Sequence, residues 1–201
     1  MIAIVDYGAG NLFSVKNACD FLGLDTCFAS NAGELETADG IILPGVGAFP
    51  DAMKKLSKTE LIPVIQSQAK KKPLLGICLG MQLLFEYSTE FERCEGLGSL
   101  PGYVDLLPCG DLKLPQIGWN SLKVHQASPL LTDTEHGDYV YFVHSFGAVC
   151  DEKYILASTE YGCIVPALVG KDLVFGAQFH PEKSGDVGLA MLKNFGKLVN
   201  T

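Results

Sequence analysis

The stretch Gly76-Ile77-Cys78-Leu79-Gly80-Met81-Gln82-Leu83-Leu84-Phe85 decides how this chain is read. It starts as the end of an apolar run, Pro73 to Ile77, turns at a cysteine set between two glycines, and continues as a helical pattern from Leu79 to Tyr87. A strand that ends in Gly-x-Cys-x-Gly and runs straight into a helix has the geometry of a nucleophile elbow, with Cys in place of Ser. Gly76 and Gly80 provide the lack of side chain that so sharp a turn demands. The helix that follows aims unpaired N–H groups and the positive end of its dipole at Cys78, which favours a thiolate, and the N–H of Leu79 can donate to an oxyanion.

The strand-loop-helix theme also precedes this stretch. Ile2 to Val5 is followed by the loop Asp6-Tyr7-Gly8-Ala9-Gly10-Asn11 and a helical pattern from Leu12 to Leu22. Gly40 to Leu43 leads into Pro44-Gly45-Val46-Gly47, then a mixed stretch from Phe49 to Lys72 in which Pro63 can open a helix. Short, nearly continuous apolar strands alternating with helices predict an α/β protein whose parallel sheet is covered on both faces. Between about Leu100 and Phe179 the texture becomes β-rich, with strands expected at Tyr103-Leu107, Ser121-Val124, Tyr139-His144, Tyr154-Thr159, Ile164-Val169 and Val174-Gln178. These are expected to be antiparallel, at least in part. A final helix is predicted from roughly Asp186 to Val199, and no repeat, low-complexity tract or linker interrupts what reads as a single domain over 1–201.

Composition narrows the function. Lys and Arg total 15 against 23 Asp and Glu, a formal charge of −8, which argues against a general role on nucleic acid or an anionic membrane. The opening MIAIVDYGAGN has no basic n-region and reads as a strand, and no segment is long enough to span a bilayer. Seven cysteines without a C-x-x-C pair fit neither a disulfide framework nor a zinc ribbon, so a reducing, cytoplasmic setting and no metal are expected.

A second segment, Gln178-Phe179-His180-Pro181-Glu182-Lys183, ends the last apolar strand. Residues two apart in extended chain point the same way, so His180 and Glu182 can stand side by side with Pro181 stiffening the link. The carboxylate orients the imidazole and leaves its other nitrogen free to take a proton from Cys78, a nucleophile, base and orienter arrangement. His125 and His136 sit in polar, turn-like surroundings and are expected in solvent, whereas His144 ends an apolar run and is either a buried histidine or a pocket wall. Pro44-Gly45-Val46-Gly47 lies where open α/β sheets place ligand loops and can supply a second N–H to the tetrahedral intermediate. Gln82, one turn beyond Cys78, can reach a bound substrate or cap a polar edge of the core.

PGVGAF at 44–49, GICLGMQLLF at 76–85 and QFHPEKS at 178–184, in this order, resemble the class I glutamine amidotransferases. That resemblance implies a flavodoxin-like, mostly parallel sheet flanked by helices with additional antiparallel strands. It also implies a Cys78-His180-Glu182 triad acting on glutamine without a cofactor, with Val46, Gly47 and Leu79 around the oxyanion and Gln82, Glu90, Ser145 and Phe146 holding the substrate. The opening DYGAGN, the phrase Gly118-Trp119-Asn120 and the string YFVHS at 141–145 are similar to the branch whose members form a heterodimer with a (β/α)8 cyclase that makes imidazole glycerol phosphate. On that likeness Asn11, Trp119, Asn120, Tyr141 and Lys183 face the partner. Gln116 stands where the family usually has His, and Phe146 where Tyr is common.

Three rival readings share parts of this pattern. A γ-glutamyl hydrolase acting alone, or an amidotransferase feeding a cyclase-like partner that amidinates surface sugars, would use the same triad. A nucleotide-binding flavodoxin-like module would use Gly8-Ala9-Gly10 as a phosphate loop, but Phe13 stands where the G-x-G-x-x-G fingerprint needs its last glycine.

Overall fold

The computed structural model describes residues 1–200. The first half alternates strand and helix: β1 (Ile2–Val5), α1 (Leu12–Phe21), β2 (Thr26–Ala29), α2 (Ala32–Thr37), β3 (Gly40–Gly45), α3 (Phe49–Ser57), α4 (Ile62–Gln68), β4 (Leu74–Cys78) and α5 (Leu79–Leu83). Strands then dominate: β5 (Tyr87–Ser88), β6 (Cys94–Glu95), β7 (Tyr103–Leu106), β8 (Gln116–Ser121), β9 (Lys123–Val124), β10 (Tyr139–His144), β11 (Phe146–Val149), β12 (Ile155–Glu160), β13 (Ile164–Lys171) and β14 (Val174–Ala177). Helix α6 (Gly185–Val199) ends the described chain.

An eight-stranded sheet in the order β2-β1-β3-β4-β14-β13-β12-β9 forms the frame. From β2 to β14 the strands run parallel, and β13, β12 and β9 extend the sheet in antiparallel fashion. Alternate residues of each central strand supply opposite faces, as pleating requires. Ala3, Val5, Ile41 and Leu43 pack with Leu35 of α2, Phe49 and Leu56 of α3 and Ile65 of α4. Ile2, Ile4 and Ile42 pack on the other side with Val15 and Cys19 of α1 and with Met191, Leu192 and Phe195 of α6. Burial on both faces is what makes these strands continuous apolar runs, and each large apolar side chain so buried contributes about 1.5–3 kcal/mol. Two smaller sheets, β10-β8 and β11-β7-β5-β6, lie beside the frame.

The predicted α/β class and its mixed sheet are present, and the departures from prediction have local causes. The helix after Cys78 stops at Leu83 rather than reaching Tyr87, because the carbonyls of Leu83, Leu84 and Phe85 accept from the N–H groups of Leu97, Leu100 and Gly98. That lateral bonding pulls the chain off its helical path and lets Tyr87 and Ser88 pair with β6 and β7. The strand expected over Ser121-Val124 is two strands, with buried Leu122 at the switch donating its N–H to Asp138. β2 carries no strong sequence signal because it is a partly exposed edge strand. β8 starts at Gln116 and turns Ile117 and Trp119 outward, 62 % and 53 % exposed, which inverts the usual apolar-in pattern.

Candidate active site

The loops after β1, β3 and β4 and the segment after β14 all leave the sheet at the carboxyl ends of its parallel strands, the edge where open α/β sheets build their sites. There, Cys78 has φ 55° and ψ −112°, a positive-φ conformation that a non-glycine residue adopts only under constraint. The constraint is the approach of α5 to β3. A Cβ at Gly80 would lie 1.8 Å from the carbonyl oxygen of Leu43, so only glycine allows the helix to begin here.

The thiol borders a cavity of about 380 Å3 lined by Val46, Gly47, Leu79, Gln82, Glu90, Pro115, Val143, His144, Ser145, Phe146 and His180. All the predicted substrate and oxyanion residues therefore meet around one space of small-molecule size. Gly47, with φ 101° and open space around it, lets the turn after β3 pass beside the thiol. A larger cavity of about 580 Å3, near the Lys171–Val174 turn at the opposite end of β14, borders none of the predicted triad.

His180 is 2 % exposed, and its Nδ1 lies 2.8 Å from Glu182 Oε1. The second ring nitrogen has no hydrogen-bonding partner, so the carboxylate fixes the ring while Nε2 remains available on the thiol side. Burial opposes the charged imidazole, but polar attraction from the Cys78 thiol and from Glu182 outweighs it and raises the His180 pKa to about 9. The backbone holding the pair is itself tied down. The N–H of His180 donates to Tyr141 O at 3.0 Å, Ser184 Oγ donates to His180 O at 2.7 Å, and the Tyr141 N–H donates to Ser184 Oγ at 3.0 Å.

Gln82 is 4 % exposed and donates through Nε2 to Phe146 O at 2.8 Å and to Gln178 Oε1 at 3.0 Å. With both amide protons engaged, Gln82 Oε1 is the part left for a ligand. Gln178 in turn directs its Nε2 at Cys78 Sγ, 3.9 Å away. Sequence reasoning passed over Gln178 and Ser184, although the same two-residue alternation that pairs His180 with Glu182 also reaches Gln178. Glu90, in the loop before β6, accepts the Phe49 N–H at 2.7 Å, which satisfies an orphan donor in the first turn of α3 and brings the carboxylate to the cavity. Phe146 contributes its carbonyl to the Gln82 bond, and Ser145 is partly buried on the same wall.

His144 is buried, and its Nδ1–H donates to Phe146 O at 2.8 Å. Burial, eased slightly by that bond and reinforced by His180, lowers its pKa to about 4, so it is a neutral pocket wall. His125 and His136 are exposed, as expected, with His125 Nε2 2.7 Å from Ser158 Oγ. Trp119 and Tyr141 make an edge contact with centroids 6.0 Å apart, Asn120 accepts from Gln116 at 3.0 Å, Lys183 is exposed and Asn11 is partly exposed. Gln116 is fully buried, and its Oε1 has no partner. Among the described residues no group of three or more His, Cys, Asp or Glu side chains could hold a metal, and no helix is long and apolar enough to cross a membrane.

Comparison with known proteins identifies the family and the fold. The family model for class-I glutamine amidotransferases matches residues 3–198. The "Imidazole glycerol phosphate synthase subunit HisH" of Exiguobacterium sibiricum is 54 % identical over 195 residues, covering 97 % of this chain and 94 % of that protein. The protein of the same name from Caldanaerobacter subterraneus subsp. tengcongensis is 51 % identical over 201 residues, covering 99 % and 98 %. A solved structure described as a glutamine amidotransferase aligns with TM-score 0.78 at 19 % identity over 100 % of both chains, and one of PurLQS from Thermotoga maritima with TM-score 0.76 at 21 % identity over 96 % of both. At those identities the solved structures speak for the fold.

Proposed function

The chain belongs to the class I glutamine amidotransferases, and from that premise we propose that it is the glutaminase subunit of imidazole glycerol phosphate synthase, with Cys78, His180 and Glu182 as its triad. The observation that carries the proposal is the His180–Glu182 pair, held at 2.8 Å beside a cavity that also exposes the strained elbow cysteine.

Glutamine enters the cavity with its side-chain amide toward Cys78, held by Gln82 Oε1 and the wall formed by Glu90, Ser145 and Phe146. His180 Nε2 takes the thiol proton before attack, leaving a thiolate–imidazolium pair, and the thiolate sulfur then attacks the amide carbon to give a tetrahedral oxyanion. Backbone N–H groups of Leu79 and of the Val46-Gly47 turn stabilise that charge. The intermediate collapses as His180 returns the proton to the leaving nitrogen, releasing ammonia and leaving a glutamyl thioester. Water, deprotonated by His180, then attacks the thioester, and glutamate departs with the thiol restored. Glu182 holds the imidazole in the tautomer that each transfer needs.

Ammonia is useful only while unprotonated, so it passes directly to a (β/α)8 cyclase partner docked against the face carrying Asn11, Trp119, Asn120, Tyr141 and Lys183. That partner completes imidazole glycerol phosphate and releases aminoimidazole carboxamide ribotide. The exposed Trp119 fits this role, because large aromatic side chains are enriched at protein interfaces. The test is glutamate release by wild type and Cys78→Ala, each alone and with the cyclase carrying its nucleotide ligand. Turnover that rises with the liganded cyclase and disappears in Cys78→Ala supports the proposal. Strong turnover indifferent to the cyclase keeps the triad and removes the partnership.

A further inference from the structure

Tyr7 lies in the loop after β1, is only 4 % exposed, and donates its hydroxyl to the Pro44 carbonyl at 3.0 Å. Strand geometry explains why that carbonyl needs a side-chain donor. The N–H of Ile41 bonds Pro73 on the β4 side, so by alternation the backbone groups of Ile42 and Pro44 face β1. β1 pairs with β3 only as far as Ile4 opposite Ile42, whereas on its other side it stays bonded to β2, Asp6 N–H donating to Ala29 O. Pro44 O has therefore outrun its neighbouring strand, and a buried carbonyl left bare there would be unfavourable. The Tyr7 hydroxyl occupies that place. Burial first, and the charge of Cys78 second, raise the Tyr7 pKa beyond the usual tyrosine range, so the hydroxyl keeps its proton.

The contact sits where three parts of the site converge. A Cβ on Gly45 would lie 2.7 Å from the Gly80 nitrogen and 2.9 Å from the Tyr7 hydroxyl, and one on Gly10 would lie 3.5 Å from Pro44. The loop after β1, the turn after β3 and the elbow helix are thus in mutual contact, and the first of them also carries Asn11.

We propose that Tyr7 is a positioning residue for glutamine hydrolysis: by holding the Pro44 carbonyl it fixes the Pro44–Gly45 peptide, and so sets where Val46 and Gly47 present their N–H groups to the oxyanion. This rests on the glutaminase reading above. Because the oxyanion forms only after attack, the loss of this contact acts on kcat rather than on KM.

Tyr7→Phe keeps the ring and removes only the donor. Assayed in the complex with the cyclase and its nucleotide ligand, the variant is expected to lose roughly tenfold in kcat, less than the hundredfold or more that follows outright loss of an oxyanion donor, with KM for glutamine little changed. Inhibition by glutamate γ-semialdehyde, whose thiohemiacetal presents the same oxyanion, should weaken by a similar factor. Alkylation of Cys78 by iodoacetamide, which forms no oxyanion, should proceed at the wild-type rate. An unchanged kcat overturns the assignment, as does a raised KM accompanied by altered alkylation, since that pattern marks general loosening of the pocket. Wild type that releases no glutamate at all overturns the glutaminase reading and this assignment together, whereas active wild type with an indistinguishable variant overturns Tyr7 alone.

Discussion

His180 Nδ1 and Glu182 Oε1 lie 2.8 Å apart across a single proline, with 3 % and 0 % of their side chains exposed. In so dry a setting the carboxylate fixes the ring through Nδ1 and supports the imidazolium, the charge that the proposed mechanism needs beside the thiolate. Glu182→Gln should therefore lower kcat for glutamine hydrolysis by roughly 10²- to 10⁴-fold with little change in KM. Steady-state kinetics in the cyclase complex would check this, and a variant as fast as wild type would remove Glu182 from the mechanism.

The pair also links stability to pH. The His180 pKa is raised to about 9 in the folded chain, whereas an unperturbed histidine titrates near 6.5. A raised folded pKa stabilises the fold fully below the unfolded value and loses that contribution as pH climbs through the folded one. The melting-temperature advantage of wild type over Glu182→Gln should thus be largest near pH 6 and shrink between about pH 6.5 and 9. An advantage that stays constant over that range would show that the imidazole is not charged in the fold.

The elbow depends on close backbone approach. A Cβ at Gly80 would meet the Leu43 carbonyl at 1.8 Å, a distance that no side-chain rotation can relieve. Gly80→Ala should destabilise by several kcal/mol, of the order of the largest single-residue effects, and lower the melting point sharply. Gly8→Ala, where φ is +76° but space is open, carries only the backbone strain of about 1–2 kcal/mol. Equal melting points for the two variants would contradict the packing at the elbow.

Gln178 connects the thiol to Gln82, whose side-chain amide it helps to orient. Without its Oε1, one amide proton of Gln82 loses its acceptor and the side chain is free to turn. Gln178→Leu is expected to raise KM for glutamine by about tenfold, the effect of losing ~1.4 kcal/mol of ground-state binding, with a smaller effect on kcat. Isothermal titration of glutamine into the Cys78→Ala background would separate binding from chemistry, and wild-type affinity in Gln178→Leu would show that Gln82 is held by Phe146 alone.

What was legible in the sequence follows from which interactions are local. β1, β3, β4 and β14 are buried on both faces, so their apolar runs signal them directly, and Gly-x-Cys-x-Gly and His-Pro-Glu encode their own turns. β2 and β8 were harder to read because an exposed edge and an outward-facing Ile117 and Trp119 erase the expected alternation. The end of α5 could not be read from its own residues, since the competing donors come from Gly98, Leu97 and Leu100.

By itself the sequence determined β1, α1, β3, β4 and β14, the elbow cysteine and the histidine–glutamate pair, because each depends on residues within a few positions of one another. Only the tertiary structure decided that Cys78 and His180, about a hundred positions apart, border one cavity, that Gln178 links Gln82 to the thiol, and that Tyr7 supplies the donor missing at Pro44. Those relations depend on β14 lying beside β4 and on β1 ending before β3 does, and strand adjacency and relative length are set by long-range packing that no local pattern specifies.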